Sequence, residues 1–323
     1  MKPSSLGLLF AAVLLVFSRA GLAETVELRF GHFPNITHAQ ALVAHQLSRQ
    51  GRGWFEERLG KDLKVSWYIY NAGPSAMEAL ASGALDVTYV GPNPALNAFA
   101  RSRGRAVQIL SGAAMGGAAF LVGQGVNAVK PADFRGRKLA SPQLGNTQDI
   151  ALRAWLKAGG LNITQQGGDA FIIPTANPDQ LDLLKRGEVD GVWTVEPWVS
   201  RLELEAGGRV LVDDHNSITT VLSGSPKFIR ESPDLVRKIV LAHRELTEWI
   251  VKNPAEAKEL VRREIKEETG KEIPQTLLDR AWPRINFSDQ VDRTIMEKSI
   301  VDARLAGFLP QDVSFEALLN TSW

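Results

Sequence analysis

The chain has 323 residues, 44% of them hydrophobic and 23% charged, a composition that can bury a core, argues against disorder, and at roughly 100–200 residues per domain predicts about two domains. Lys and Arg number 37 against 36 Asp and Glu; without Lys2 and Arg19 the remaining 35 against 36 leave a net charge of −1, which argues against a nucleic-acid binder held by phosphate contacts. With no Cys at all, thiol catalysis, Cys-based zinc sites, disulfides and a lipidated N-terminal Cys are excluded.

Residues 1–23 read as an export signal: a basic start at Lys2, an apolar stretch Leu6–Phe17 and a small-residue exit, Ala20-Gly21-Leu22-Ala23. The stretch is too short for the ~20 residues that span a bilayer. Cleavage after Ala23 and a periplasmic mature chain are the expectation. From Val26 onward β-rich runs alternate with helical patterns, the signature of βαβ units and a mixed, mostly parallel sheet. Val26–Gly31 predicts a strand, with Thr37 capping a helix His38–Gln50. Leu63–Tyr70 is a strand, Pro74 and Gly83 bracket a helix, Leu85–Val90 is a strand, and a helix runs from near Pro92 to near Arg103. Val107–Gly112 and Ala119–Gly123 predict strands parted by the Gly/Ala-rich Ala113–Ala118, a first crossing between two lobes. The alternation then repeats: strand Lys138–Ser141, helix Asn146–Ala158, strand Ala170–Ile173, a helix from Asn177-Pro178 to Gly187, strand Gly191–Thr194 and helix Pro197–Ala206. Strands Val210–Val212 and Thr219–Ser223 follow, with the return crossing in Asp213–Thr219. Four helices close the chain: Pro233–Val251, Pro254–Thr269, Pro274–Trp282 and Asp289–Leu305. The expected organisation is one lobe from residues 24–115 and 219–323 and a second from 116–218.

One internal echo supports two similar lobes. Leu80-x-x-Gly83-x-Leu85-Asp86 with Pro92 downstream matches Leu184-x-x-Gly187-x-Val189-Asp190 with Pro197 downstream. Each copy reads as a helix, a Gly stop, a strand opening with Asp and a new helix start, although Gly stops of this kind are also common chemistry. In open α/β sheets, ligands bind at the ends of such strands.

Nucleophile elbows, P-loops and H-E-x-x-H are absent, and Gly123-Gln-Gly125-Val-Asn-Ala128 leads into Lys130-Pro131 rather than a helix, so it does not make a dinucleotide site. His32 and His38 flank one loop, yet no His–carboxylate cluster stands at metal spacing in the sequence, so neither metal nor cofactor is expected. What remains is three polar helix starts after strand ends: Asn35-Ile36-Thr37-His38, Gly91-Pro92-Asn93, and Gly145-Asn146-Thr147-Gln148. A helix start holds an anion with free N–H groups and the positive end of its dipole, although each could equally be an ordinary cap. Glu196-Pro197-Trp198 adds an acid and a large aromatic surface: Trp198 could cover an apolar ligand part, and Glu196 could meet a cation or hold another side chain in place. Trp193 reads as core.

Phe30-Gly31-His32-Phe33-Pro34-Asn35, Tyr89-Val90-Gly91-Pro92-Asn93-Pro94-Ala95, Ser141-Pro142-Gln143-Leu144-Gly145-Asn146-Thr147 and Val195-Glu196-Pro197-Trp198 resemble the nitrate/sulfonate/taurine group of ABC-transporter substrate-binding proteins, over nearly the whole chain from Val26. The resemblance implies an α/β, two-lobed periplasmic binding protein fold of type II with two crossover strands at the hinge. It also implies a ligand in the cleft and delivery to an ABC permease and ATPase complex at the inner membrane by a monomer. Carried over by position, it places the ligand against Asn35, Ile36, Thr37 and His38, against Gly91, Pro92 and Asn93, at Ala114 in the crossover, at Asn146 and Thr147, and at Glu196 and Trp198. Among the family's ligands the likeness to the aliphatic-sulfonate branch is greatest. A related enzyme of this fold that makes a pyrimidine vitamin precursor uses a Cys-rich motif, which this Cys-free chain lacks. The chain is thus expected to be a binding protein rather than an enzyme. The alternatives are an exported enzyme on the same fold, with Glu196 or His38 as acid/base, and a sensor that docks on a membrane receptor.

Overall fold

The computed structural model describes residues 26–60, 62–311, 314–320 and 323. The export signal predicted at residues 1–23 lies outside them. In chain order the elements are β1 (Val26–His32), α1 (Ala39–Arg49), α2 (Trp54–Leu59), β2 (Leu63–Ile69), α3 (Gly73–Ser82), β3 (Val87–Val90), α4 (Pro92–Ser102), β4 (Gln108–Gly116), β5 (Ala118–Val122), β6 (Lys138–Ser141), α5 (Thr147–Ala158), β7 (Ile163–Thr164) and β8 (Gly167–Gly168). They continue with β9 (Phe171–Pro174), α6 (Asn177–Lys185), β10 (Gly191–Val195), α7 (Trp198–Ala206), β11 (Arg209–Asp213), β12 (Ile218–Gly224), α8 (Pro226–Glu231), α9 (Pro233–Lys252), α10 (Pro254–Thr269), α11 (Gln275–Ala281), β13 (Ile285–Phe287) and α12 (Arg293–Leu305).

Two large sheets organise the chain, in the orders β13-β4-β12-β3-β1-β2 and β11-β5-β10-β6-β9. Each sheet, with the helices on it, is a lobe. The sheets are mixed as expected, but the mostly parallel expectation gives way to an even balance. β1 lies parallel to β2 and β3, and β6 parallel to β9 and β10, whereas the pairings made by β4, β5, β11, β12 and β13 are antiparallel. The strands that carry the chain between lobes return beside their own partners, and a strand that reverses into its neighbour must pair antiparallel. The outward crossing is a single residue, Gly117, between β4 and β5; the return is residues 214–217, between β11 and β12.

Apolar side chains cover both faces of each sheet. On the first, Leu28, Phe30, Leu42 and Phe55 pack with Val236, Ile239, Val240, Leu246 and Ile250 of α9, a spacing of three and four residues that puts one stripe of that helix inward. Leu80, Val90, Phe99, Ile109 and Met296 form a core on the other face. On the second sheet Phe120, Phe134, Leu152 and Trp193 fill one side, and Leu121, Leu181, Val192 and Leu202 the other. Trp193 is core, stacked on Phe120 at 5.7 Å. Among the described residues no helix is long and apolar enough to cross a membrane.

The internal echo has a structural cause. The Asp86 carboxylate accepts from the backbone N–H of Arg29 at 2.9 Å and pairs with its guanidinium, while its own N–H donates to Arg29 O at 3.0 Å. Asp190 repeats this one lobe away: its carboxylate accepts from Lys138 N at 2.9 Å and Arg137 Nη1 at 2.6 Å, and its N–H donates to Lys138 O at 2.7 Å. Each Asp therefore pins the start of a central strand to its parallel neighbour, at Arg29 in the middle of β1 and at Lys138, the first residue of β6. The opposite strand ends, Val90-Gly91 and Val195-Glu196, face the junction of the lobes.

Candidate functional site

Three loops of the first lobe and three of the second converge at the junction. From the first come the segment after β1, Asn71 after β2 and Gly91 after β3; from the second come Asn146 to Gln148 at the start of α5, Asn177 at the start of α6 and Val195 at the end of β10. With Phe33, Thr37, His38 and Thr219, they enclose a cavity of about 20 Å³. Every lining side chain is uncharged. The volume is close to what one water requires, so anything larger could enter only if the lobes part first.

The start of α5 is held rigidly. Asn146 caps it by accepting from Thr147 N at 2.8 Å, as a short amide at that position does. The buried Asp149 carboxylate accepts from Gly145 N at 2.8 Å and Ser141 Oγ at 2.8 Å, and takes both oxygens to Arg153 Nε at 3.0 Å. This leaves Thr147 Oγ1 buried at the junction with no hydrogen-bond partner among the described residues. A buried hydroxyl without a partner is costly and uncommon. It faces Gly91: a Cβ on that glycine would lie 2.3 Å from Thr147 Oγ1, so only a glycine lets the two lobes come this close.

His38 sits on the wall opposite. Its Nδ1 accepts from Phe33 N at 3.4 Å, and burial, helped by nearby His32, lowers its pKa to about 3. The ring is neutral, so the proton resides on Nε2 and that nitrogen is a donor. Asn177 Oδ1 accepts from Thr194 Oγ1 at 3.1 Å, leaving its amide nitrogen as a further donor beside the cavity. Neutral donors, N–H groups at helix starts and an unpartnered hydroxyl make a site that can receive an anion without a Lys or Arg.

A second, larger cavity of about 430 Å³ opens outward from the first, sharing Asn35, Asn71 and Asn177. Trp198, Ile69, Pro178, Ile265 and Leu277 supply apolar walls, and Arg201, Lys271, Glu205 and Glu272 supply charge. Trp198 Nε1 donates to Asn35 Oδ1 across the junction at 3.3 Å, and the Arg201 guanidinium lies over its ring at 4.8 Å.

The structure thus brings Asn35, Thr37, His38, Gly91, Asn146 and Thr147 around the small cavity and Asn35 and Trp198 around the large one. Five other residues picked from the sequence line neither. Ile36 and Ala114 are buried hydrophobic core, and Ile36 N donates to Glu196 O at 3.1 Å. Pro92 is the first residue of α4, and Asn93 donates from Nδ2 to Ser299 O at 3.3 Å, tying α4 to α12. Glu196 is turned away from the cavities: its carboxylate accepts from Ser200 N and Oγ at 3.1 and 2.9 Å and from Arg284 Nη1 at 3.2 Å. Burial raises its pKa against the pull of Ser200 and Arg284. Arg284 also reaches Glu203 at 2.8 Å, so of its two expected uses Glu196 has the one of holding another side chain.

Gln148, from the third of the polar helix starts, also lines the small cavity, and so do Asn71, Asn177 and Thr219, which the sequence reading does not place there. Asn177-Pro178 follows a strand and opens a helix just as Asn146-Thr147 does, so the strand-end rule applied at every strand would have found Asn71 and Asn177. Thr219 is committed inward, donating to Gly116 O at 2.9 Å.

Residues 21–265 match the model of the NMT1-like family. The taurine-binding periplasmic protein of Escherichia coli (strain K12) is 29% identical over 149 residues, 46% of this chain and 44% of that protein. A putative aliphatic sulfonates-binding protein of the same strain is 28% identical over 214 residues, 61% of this chain and 58% of that one. The chain therefore spans only part of the length of these curated relatives. In three dimensions, the alkanesulfonate-binding protein SsuA from Xanthomonas axonopodis pv. citri, solved with MOPS, superimposes with a TM-score of 0.74 at 20% identity, covering 93% of this chain and 99% of that chain. The chain belongs to the NMT1-like family and has the two-lobed fold of the periplasmic binding proteins.

Proposed function

We propose that this protein is the substrate-capturing component of an ABC importer: an exported, periplasmic, monomeric protein that takes a small anion, an aliphatic sulfonate, into the inter-lobe cleft and delivers it to an inner-membrane permease and ATPase complex. In this reading residues 24–115 and 219–323 form one lobe, 116–218 form the other, and closure rather than chemistry is the working step. The observation that carries it is the Thr147 hydroxyl, buried without a partner among the described residues in a ring of neutral donors contributed by both lobes. An anion that meets donors from both sides binds the closed state better than the open one, which is what drives closure. The adjoining cavity with Trp198 suits the carbon tail of the same ligand. The names of the taurine- and sulfonate-binding relatives support the same class.

The test is a thermal-shift screen and calorimetry on residues 24–323 against alkanesulfonates, taurine, nitrate, bicarbonate and phosphonates. At a hundredfold excess over its dissociation constant a ligand adds about 2.7 kcal/mol of stability. A shift with a sulfonate that is lost in Thr147→Ala supports the reading; no shift with any anion in the set overturns it.

A further inference from the structure

Outside the cleft, the fold assembles a cluster that is dispersed in the sequence. His32 ends β1, His45 lies on α1, and Glu264 and Glu268 stand four residues apart on α10. His32 Nε2 is 2.5 Å from Glu268 Oε1, and His45 Nδ1 is 3.1 Å from the same oxygen and 2.6 Å from Glu264 Oε1. One donor atom from each of His32, His45 and Glu268 lies within 4.8 Å of the others. Both carboxylates are fully buried, at 0% side-chain exposure.

We propose that His32 Nε2, His45 Nδ1 and the Glu268 carboxylate form a binding site for one divalent transition-metal ion of the zinc class, with Glu264 completing the shell. Two imidazole nitrogens with carboxylate oxygens are a borderline donor set that suits zinc rather than magnesium or calcium. An ion about 2.0–2.1 Å from each donor would spread a tetrahedral set to about 3.3 Å apart, so the His–carboxylate contacts need to open by less than about 1 Å and the two imidazole nitrogens, within 4.8 Å of each other, to close by no more than about 1.5 Å.

Several features make this more than a chance meeting of charges. Arg49 Nε pairs with Glu264 at 3.0 Å, but the described partners of Glu268 are the two imidazoles and its helix neighbour Glu264. Its second oxygen, Oε2, is buried with no partner among the described residues, leaving a lone-pair position for an ion. Trp67 fixes both rings, stacking on His45 at 5.4 Å and meeting His32 edge-on at 5.5 Å. Glu268 also stands along the wall of the 430 Å³ cavity, with its carboxylate turned inward toward the two imidazoles. The competing reading is a buried ion-pair cluster with protons in place of the metal. His32 Nδ1 has no partner among the described residues, so the hydrogen bond that normally backs a metal-bound imidazole is missing. Loss of such backing typically weakens affinity 10- to 100-fold, so binding is expected to be reversible and removable by chelators. The site does not depend on the proposed anion cleft.

The experiment uses the untagged mature chain after chelation, titrated with Co²⁺ alone and then with Zn²⁺ alone. The expected result is uptake of one equivalent, a visible Co²⁺ spectrum of the intensity of a four- or five-coordinate site, and its displacement by Zn²⁺. Glu268→Gln and His45→Ala should each weaken uptake at least 100-fold, while His215→Ala leaves it unchanged. Should the cluster variants not fold, ring-proton NMR on the wild-type chain decides: Zn²⁺ must shift the His32 and His45 resonances and spare His215. Absence of saturable uptake, uptake undiminished in both cluster variants, or unshifted His32 and His45 resonances overturns the proposal.

Discussion

Gly91→Ala separates closure from folding. The residue has φ −67°, an ordinary value for alanine, and it caps α4, where replacing glycine costs under about 1 kcal/mol. The added Cβ would stand 2.3 Å from Thr147 Oγ1, 3.3 Å from Thr147 Cβ and 3.6 Å from Thr219 O. Either the hydroxyl swings out of the cavity or the lobes part by about 1 Å, and overpacking of this kind costs about 1–3 kcal/mol. Since that cost falls on the closed state alone, the affinity for the anion that gives the largest thermal shift should drop about 10- to 100-fold. The melting temperature without ligand should fall by no more than about 4 °C. Calorimetry on Gly91→Ala, Thr147→Ala and the double variant reads the coupling: once Oγ1 is gone, the extra methyl should cost little more. Unchanged affinity in Gly91→Ala, or a double variant that loses the full sum, would refute the argument.

Two buried histidines set an acid limit. His38 and His243 have pKa values lowered to about 3 and about 4, in each case mainly by burial, so their stabilisation is whole above pH 6.5, their unfolded value, and is lost as the pH falls through 6.5 towards the folded values. At pH 5 the two together should cost about 4 kcal/mol, and urea melts of His38→Gln and His243→Asn should each show about half of that slope removed; equal slopes in all three proteins would count against it. His45, whose pKa is raised, acts in the opposite sense and only above 6.5. Trp198→Ala should weaken ligands with a carbon tail about 10-fold or more while sparing nitrate, measured by calorimetry, because it removes an apolar wall of the outer cavity and not the small one. Asp86→Ala should destabilise by about 2 kcal/mol in chemical denaturation, since it leaves the N–H of Arg29 unpaired as well as its guanidinium; a change below about 0.5 kcal/mol would show that the pin is dispensable.

The alternation of strands and helices was legible because each element carried its own period and its own stops, and α10 and β6 fall where the sequence put them. The misreadings have physical causes. Thr37 is not a helix cap, because a 3-10 turn, Ile36–His38, precedes α1 and carries it inside. The crossing expected over Ala113–Ala118 falls within that stretch but is only Gly117 long, because β4 runs on to Gly116. The small residues serve close approach: a Cβ on Gly112 would meet Gln290 O at 2.1 Å, and one on Gly116 would meet Arg284 O at 2.6 Å. That packing edge is built by β13 and the residues flanking it, and the strand's three residues are too few to show a period. Around the cleft, helix starts were readable as possible anion sites, but their side-chain commitments were not. Asn93 and Glu196 bond to Ser299 and Arg284, more than eighty residues away in sequence, and nothing local announces such partners. The same distance hid the meeting of His32 with Glu268.

The two Asp pins and the cleft loops occupy opposite ends of the same strands. What aligns β1 with β3 and β6 with β10 is decided at the strand starts, where Asp86 and Asp190 sit, and what meets a ligand is decided a few residues later, beyond Val90 and Val195. Substitutions in the loops can therefore accumulate with little debt to folding. A scaffold divided in this way can change what lines its cleft over evolutionary time while keeping its register.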